Sequence, residues 1–229
     1  MNKVLNVDTF CGFPKEFVDF LISLQFNNTV DMLHENTLIY KRLITEPLTL
    51  LFHALIQPAL SVSGSLITKP SKCVSTMYND MRFSASTPLK RYMYIRFRES
   101  ECEKDVLGLY FDMGCDYYSY GIRIYKQTCA GMEKIRENVI NNGRAFSLEL
   151  DKLHKIGMSI YGDSYAKDRY PTINDCAVKE FLNKKNFYIG RKCAINESVF
   201  DRRLNDEVSK TFLEVKGFYT LLKKSMYPC

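Results

Sequence analysis

The sequence predicts an α+β fold: a central antiparallel sheet with helices packed on it and helical segments at both ends. Three observations carry this. Residues 92–98 alternate apolar and polar at the two-residue period of a half-buried strand. Two further alternating runs follow at once, joined by a short Gly114-Cys115-Asp116 turn, as in a hairpin. On both sides of this block the apolar period changes to that of a helix.

Pro14 suits the first turn of a helix, where its missing N–H leaves nothing unsatisfied. Phe17, Phe20, Leu21 and Leu24 then share one face, and Asn27-Asn28 is the expected stop. A second helical stretch starts near Thr29 or Asp31 and runs through Leu33, Leu38 and Tyr40. Glu46-Pro47 should end or kink it, with Pro47 leading the next segment and its stripe of Leu48, Leu51, Phe52 and Leu55. Residues 61–65 read as a loop. The polar stretch 77–90, carrying Thr87-Pro88, feeds the first strand directly. A loop that opens onto a strand is a common place for function.

In the strands, Met93, Ile95 and Phe97 point one way, and Tyr92, Tyr94, Arg96 and Arg98 the other. Leu107, Leu109 and Phe111 suit a core, with Gly108, Tyr110 and Asp112 opposite. Tyr118, Tyr120, Ile122 and Ile124 oppose Tyr117, Ser119, Gly121, Arg123 and Tyr125. Met132, Ile135, Val139 and Ile140 predict a helix closed by Asn141-Asn142-Gly143, and Phe146, Leu150 and Leu153 another. Residues 157–171 are loop-rich. Asp175 is placed to cap a short helix through Leu182, and residues 187–190 form a short strand. Ser198 is the expected cap of a last helix through Val208, Phe212, Val215, Phe218, Tyr219 and Leu222. With no repeat and no clean linker, residues 1–229 read as a single α+β domain.

Bulk properties are those of an ordinary globular protein: 229 residues, 46% hydrophobic and 25% charged, with no Trp. The net charge is +6. Residues 1–127 carry 14 Lys/Arg and 13 Asp/Glu, whereas residues 128–229 carry 18 and 13. Such an excess attracts anions only mildly. None of the eight cysteines forms a C-x-x-C pair, and the N-terminus has no secretory h-region. The longest apolar run, 48–60, is interrupted by His53, Gln57 and Pro58 and is short for a membrane span. These features predict a soluble cytoplasmic protein with no membrane association, whose cysteines are mostly buried thiols.

Nucleotide-binding glycine loops and the G-x-S-x-G elbow are missing, so no cofactor is expected. His34-Glu35 lacks the second histidine of a zincin helix, and His53 reads as a core or boundary residue. Few histidines and dispersed cysteines supply no metal site. What remains is the non-core face of the sheet. Arginine offers a planar fork for phosphate or carboxylate, and tyrosine a flat ring with a hydroxyl. Arg82, Lys90, Tyr94, Arg96, Tyr110 and Arg123 are therefore the candidate ligand-binding residues, and Gly108 and Gly121 would lower the face locally, leaving room for a ligand or another backbone. The leading expectation is a module for an anionic or nucleotide-like ligand, nucleic acid included. One alternative is an enzyme with a polar cleft around Asp80, Arg82 and Lys90, its catalytic groups unassigned. Another is a protein–protein interaction domain using the aromatic surface. A sheet covered on both faces would reduce the tyrosines to packing.

The chain also resembles a bacterial and fungal family, domain of unknown function 2461. The resemblance lies in Gly12-Phe13-Pro14-Lys15, Asn27-Asn28, Tyr40 with Glu46-Pro47, and Tyr78-Asn79-Asp80-Met81-Arg82-Phe83-Ser84 with Thr87-Pro88 and Lys90. It continues in Arg96-Phe97, Gly108-Leu109-Tyr110-Phe111, Gly121 and Lys184-Lys185-Asn186-Phe187-Tyr188. Val30-Asp31-Met32-Leu33 stands where the family usually has Arg-Glu-Trp-Phe. Asn79-Asp80 replaces Arg-Asp, and Ala85-Ser86 replaces a lysine-rich insert. The resemblance implies the fold and one domain, and no particular reaction.

Overall fold

The computed structural model describes residues 9–79, 88–100 and 102–227. Its centre is a five-stranded antiparallel sheet made of β1 (Met93–Arg98), β2 (Val106–Met113), β3 (Tyr117–Tyr125), β4 (Ser159–Tyr161) and β5 (Tyr188–Ala194), in the order β1-β2-β3-β5-β4. The alternation of the first three strands sets the register. Arg96 faces Tyr110, Tyr110 faces Gly121, and Gly121 faces Gly190 on β5. β4 lies within the stretch read as loop. It is only three residues long and is bracketed by Gly157 and Gly162, whose positive φ angles turn the chain sharply. β5 also runs four residues beyond the short strand predicted.

The apolar side of the sheet carries the core. Met93, Ile95, Phe97, Leu107, Leu109, Phe111, Ile122 and Ile189 are all buried there. Helix α1 (Glu16–Phe26) buries Phe17, Phe20, Leu21 and Leu24, the stripe predicted. The segment after it is in two pieces. Thr29 caps α2 (Val30–Glu35) by accepting the Met32 N–H, and α3 (Thr37–Tyr40) follows at Asn36. Leu38, placed by periodicity on the inner face, is 81% exposed, because the break at Asn36 shifts the register of the stripe.

Glu46-Pro47 does not end the helical run. A π-helical turn, Lys41–Thr45, leads directly into α4 (Glu46–Val62), and the Glu46 N–H reaches back to the Lys41 carbonyl. The wider turn accommodates Pro47, which has no N–H to give and whose ring would crowd the carbonyl four residues earlier. The run Thr37–Val62 is thereby 26 residues long and contains an 18-residue stretch with a mean hydropathy of 1.3, long and apolar enough by composition alone to cross a membrane. Its inner stripe is engaged within the fold: Leu48, Leu51, Phe52, Leu55, Ala59 and Val62 are buried. Phe52 stacks on Phe97 of β1 at 5.4 Å, and Phe97 meets Phe212 edge-on at 6.3 Å. Each such ring contributes about 2–3 kcal/mol by burial. His53, on the other side of α4, is exposed and not a core residue.

Helices α5 (Pro70–Cys73), α6 (Cys129–Asn141), α7 (Gly143–Lys155), α8 (Cys176–Leu182), α9 (Arg203–Glu214) and α10 (Lys216–Met226) complete the helical part. Asp175 caps α8 as predicted, accepting the Val178 N–H at 3.0 Å. Ser198 does not cap the last helix. It lies in a 3₁₀ turn, Glu197–Phe200, and Asp201 instead accepts the Arg203 N–H at the start of α9. The long final helix is divided at Val215 into α9 and α10, which lets Phe212 reach the sheet while Phe218 packs on Phe146 and Phe181. Ile140 shares the α6 spacing yet is exposed at that helix's end. Among the described residues seven cysteines are free thiols, and only Cys73 is buried. Cys11, Cys102, Cys129 and Cys176 are exposed, so apolar burial does not account for most of them.

Candidate functional site

The second face of the sheet has a different character. Tyr94, Arg96 and Arg98 of β1 project onto it, with Tyr110 and Asp112 of β2, Tyr117, Arg123 and Tyr125 of β3, and Tyr188 of β5. Most are half-buried, in contrast to the sealed apolar side. The three predicted strand faces therefore run together without a bulge.

The side chains on this face are stacked on one another. The Arg96 guanidinium lies 3.5 Å from the Tyr94 ring centre and 5.3 Å from that of Tyr125. Arg123 lies 5.4 Å from the ring of Tyr188, which stacks on Tyr161 at 4.9 Å. Arg123 Nη1 is also 3.5 Å from Asp112 Oδ2, a long contact between a 38% exposed guanidinium and a 13% exposed carboxylate. Burial pushes the Asp112 carboxyl above its usual range, although Arg96 and Arg123 both pull it down. Burial likewise raises the Tyr125 hydroxyl, against the pull of Arg96.

Tyr110 departs from the sequence reading, and at Gly108 and Gly121 the room is taken by neighbouring backbone and not left for a ligand. Tyr110 is on the predicted face but only 1% exposed, and its hydroxyl is 2.9 Å from Ser119 Oγ. Its ring meets Tyr188 edge-on at 6.0 Å. It is a supporting side chain beneath the surface and offers no ring face to a ligand. A Cβ on Gly190 would lie 2.1 Å from the Tyr110 hydroxyl, and one on Gly108 3.1 Å from Tyr125 Cε2. At Gly121 a Cβ would strike the Ile189 carbonyl at 2.1 Å. The hollows above these glycines are filled by tyrosines and neighbouring backbone; they are not open to a ligand.

The opening lies toward β1. A cleft of about 320 Å³ is lined by Tyr94, Arg96, Arg98, Tyr125, Lys72 and Lys126, together with Cys102 and Glu103. The lining thus carries, among the described residues, four basic side chains and one acidic one. Among the described residues, Arg96, Arg98 and Lys126 make no ion pair. Lys126 is held at the turn after β3 with φ 47, a left-handed conformation uncommon outside glycine. Four buried side-chain polar atoms have no hydrogen-bond partner among the described residues. Three of them, Arg96 Nε, Asp112 Oδ1 and the Tyr125 hydroxyl, are on this face, and the fourth, the Tyr120 hydroxyl, is on the helical side.

Lys90 stands at the edge of the same region. Its Nζ donates to the Thr76 carbonyl at 2.8 Å and lies 5.3 Å from the Tyr94 ring centre. Burial and the Arg96 charge hold its ammonium below the usual lysine range. The backbone beside it is pinned: Asn28 both donates to the Leu89 carbonyl and accepts the Leu89 N–H, and Lys90 donates its N–H to Met77. Asp80 and Arg82 fall outside the described residues. Lys72 and Lys126 were missed in sequence because they lie in a short helix and a turn, where no period places them. Arg123 was grouped with Arg96 but points toward Tyr188 and Asp112, away from the cleft lining.

No curated protein matches the chain. A family model does match, over residues 16–220, and its description is Conserved hypothetical protein (DUF2461). The match spans the whole sheet and every helix from α1 to α9, with the first turn of α10, so the chain belongs to the DUF2461 family.

Proposed function

We propose that the chain is a binding module whose open sheet face takes an anionic ligand. The observation that supports this reading is Arg96. Its guanidinium is stacked in place on Tyr94, its Nε is buried with no hydrogen-bond partner among the described residues, and it borders a cleft where, among those residues, Arg98 and Lys126 make no ion pair. Uncompensated cations held at fixed positions cost stability through mutual repulsion, which an arriving anion relieves. A half-buried cleft strengthens that interaction relative to open water.

The test is titration of the intact protein with inorganic phosphate, sulfate, nucleotides and a single-stranded oligonucleotide at two ionic strengths. At least one of these should bind, weaken as salt rises, and lose about tenfold in affinity in Arg96→Ala or Arg98→Ala. Absence of binding by any of them, or binding that ignores both salt and these substitutions, would overturn the reading.

A further inference from the structure

The ligand class can be narrowed, on the footing that the face binds anions. We infer that the cleft beside β1 takes a compact polyphosphate, two or more phosphate groups on a small scaffold or none, recognised through its anionic groups without a stacked base.

The geometry of the rings carries this. Tyr94 already holds the Arg96 guanidinium at 3.5 Å from its centre and the Lys90 ammonium at 5.3 Å. Tyr125 has Arg96 at 5.3 Å and lies against Gly108, its Cε2 3.1 Å from where a Cβ would stand beside the Phe97 carbonyl. These phenols orient cations and fill the sheet surface, and stacking a base on them would require displacing the cations. The cations are distributed accordingly. Arg96 and Arg98 are two residues apart on one strand and project from the same face, so their Cα atoms are about 7 Å apart. Lys126 comes from the turn after β3 to line the same space. Three cations carry more charge than one phosphate group, about −1.5 to −2, neutralises, whereas adjacent phosphates can match it. The cleft, about 320 Å³, is at the small end for a ligand site, which also suits a compact ion. Among the described residues Glu103 is the one acidic side chain in the lining, and its removal should strengthen binding.

The experiment is calorimetric titration of the intact protein, at low ionic strength, with orthophosphate, pyrophosphate, tripolyphosphate, ATP and adenosine. Pyrophosphate and tripolyphosphate should bind at least about tenfold tighter than orthophosphate, ATP should match tripolyphosphate within about threefold, and adenosine should give no heat. Arg98→Ala and Lys126→Ala should each weaken tripolyphosphate by about tenfold, and Glu103→Gln should tighten it, all with unchanged thermal unfolding. If ATP binds about tenfold tighter than tripolyphosphate, or adenosine binds alone, a base is recognised; the polyphosphate assignment then fails while the anion reading stands. If orthophosphate binds as tightly as tripolyphosphate, the multi-phosphate claim fails in the same way. If no anion binds, or the substitutions have no effect on binding, both fail together.

Discussion

The Arg96 guanidinium rests 3.5 Å from the centre of the Tyr94 ring, two residues before it on the same strand. An arginine so placed is held by its ring, and among the described residues it makes no ion pair, although it acts on Asp112 at longer range. Residues kept for binding are often neutral or unfavourable for stability.

Arg96→Met tests that distinction. The substitution removes a buried donor with no partner, which is favourable, and removes the stack on Tyr94 and one cation near Asp112, which is not. The opposing effects predict unfolding free energy within about 1 kcal/mol of the parent, together with loss of anion binding. Denaturant unfolding and titration on the same sample check both. A loss above about 3 kcal/mol would mark Arg96 as a structural residue instead.

Asp112 gives a prediction with a definite sign. Burial raises its carboxyl in the folded state, so the folded protein binds that proton more tightly than the unfolded chain does. Stability from this group is therefore highest in acid and is lost as pH rises through the ordinary aspartate range to the raised folded value. Asn mimics the protonated form. Asp112→Asn should equal the parent in acid and become the more stable of the two as pH rises to neutrality, by up to about 1 kcal/mol, its loose contact with half-exposed Arg123 being worth little. Denaturant midpoints measured across that range decide it. A parent that outperforms Asp112→Asn at neutral pH would show that the Arg96 and Arg123 charges outweigh desolvation.

Much of the architecture could be read from residue order, and the exceptions have physical causes. The two-residue period placed Met93, Ile95 and Phe97 against the helices and Tyr94, Arg96 and Arg98 on the other face, because a strand with one sealed face cannot slip register. β4 escaped because three residues do not make a period, and the extension of β5 because Arg191 and Lys192 are exposed there. Leu38 and Ile140 match helical spacing yet face solvent, since a helix interruption at Asn36 and a helix end at Asn141 decide burial more than periodicity does. For the site, the shared face of Arg96, Arg123 and the tyrosines was legible. The direction each long side chain takes above the sheet was not. Whether Tyr110 lies down over Gly190 or stands up to meet a ligand depends on the neighbouring strand, which the β3–β5 pairing alone reveals.

That packing of Tyr110 on Gly190 predicts a coupled pair. Gly190→Ala drives a methyl into the Tyr110 hydroxyl and should cost about 2 kcal/mol, as overpacking of a closed site does. Tyr110→Phe loses the bond to Ser119, about 1 kcal/mol, but removes the oxygen that the methyl would strike. The double substitution should therefore be more stable than the sum of the two single losses implies, by about 1 kcal/mol. A double-mutant cycle in denaturant measures this directly, and strict additivity would mean that the tyrosine swings away from Gly190 freely.

The other end of β1 is tied to the last helix through Glu99, and its pH behaviour is opposite to that of Asp112. Burial alone would raise its carboxyl, but hydrogen bonds from Ser65, Ser63, Lys223 and Tyr219 overrule that and hold it below the usual glutamate range. Lys223 Nζ lies 2.9 Å from Oε2, and the Tyr219 hydroxyl donates to Oε1 at 2.8 Å. A depressed carboxyl contributes stability that is fully present above the ordinary glutamate pKa and is lost as pH falls through its lower folded value. Glu99→Gln should thus destabilise by about 2 kcal/mol at neutral pH, because it removes a charge-assisted acceptor while Lys223, 36% exposed in its side chain, can partly recover solvation. The deficit should shrink steadily in acid, as the parent's own carboxylate becomes protonated. Unfolding curves of both proteins from neutral to acidic pH provide the check. A deficit that stays constant through the acid range would mean that the charge of Glu99 contributes nothing and that its shape alone fits the pocket between Ser65 and Tyr219.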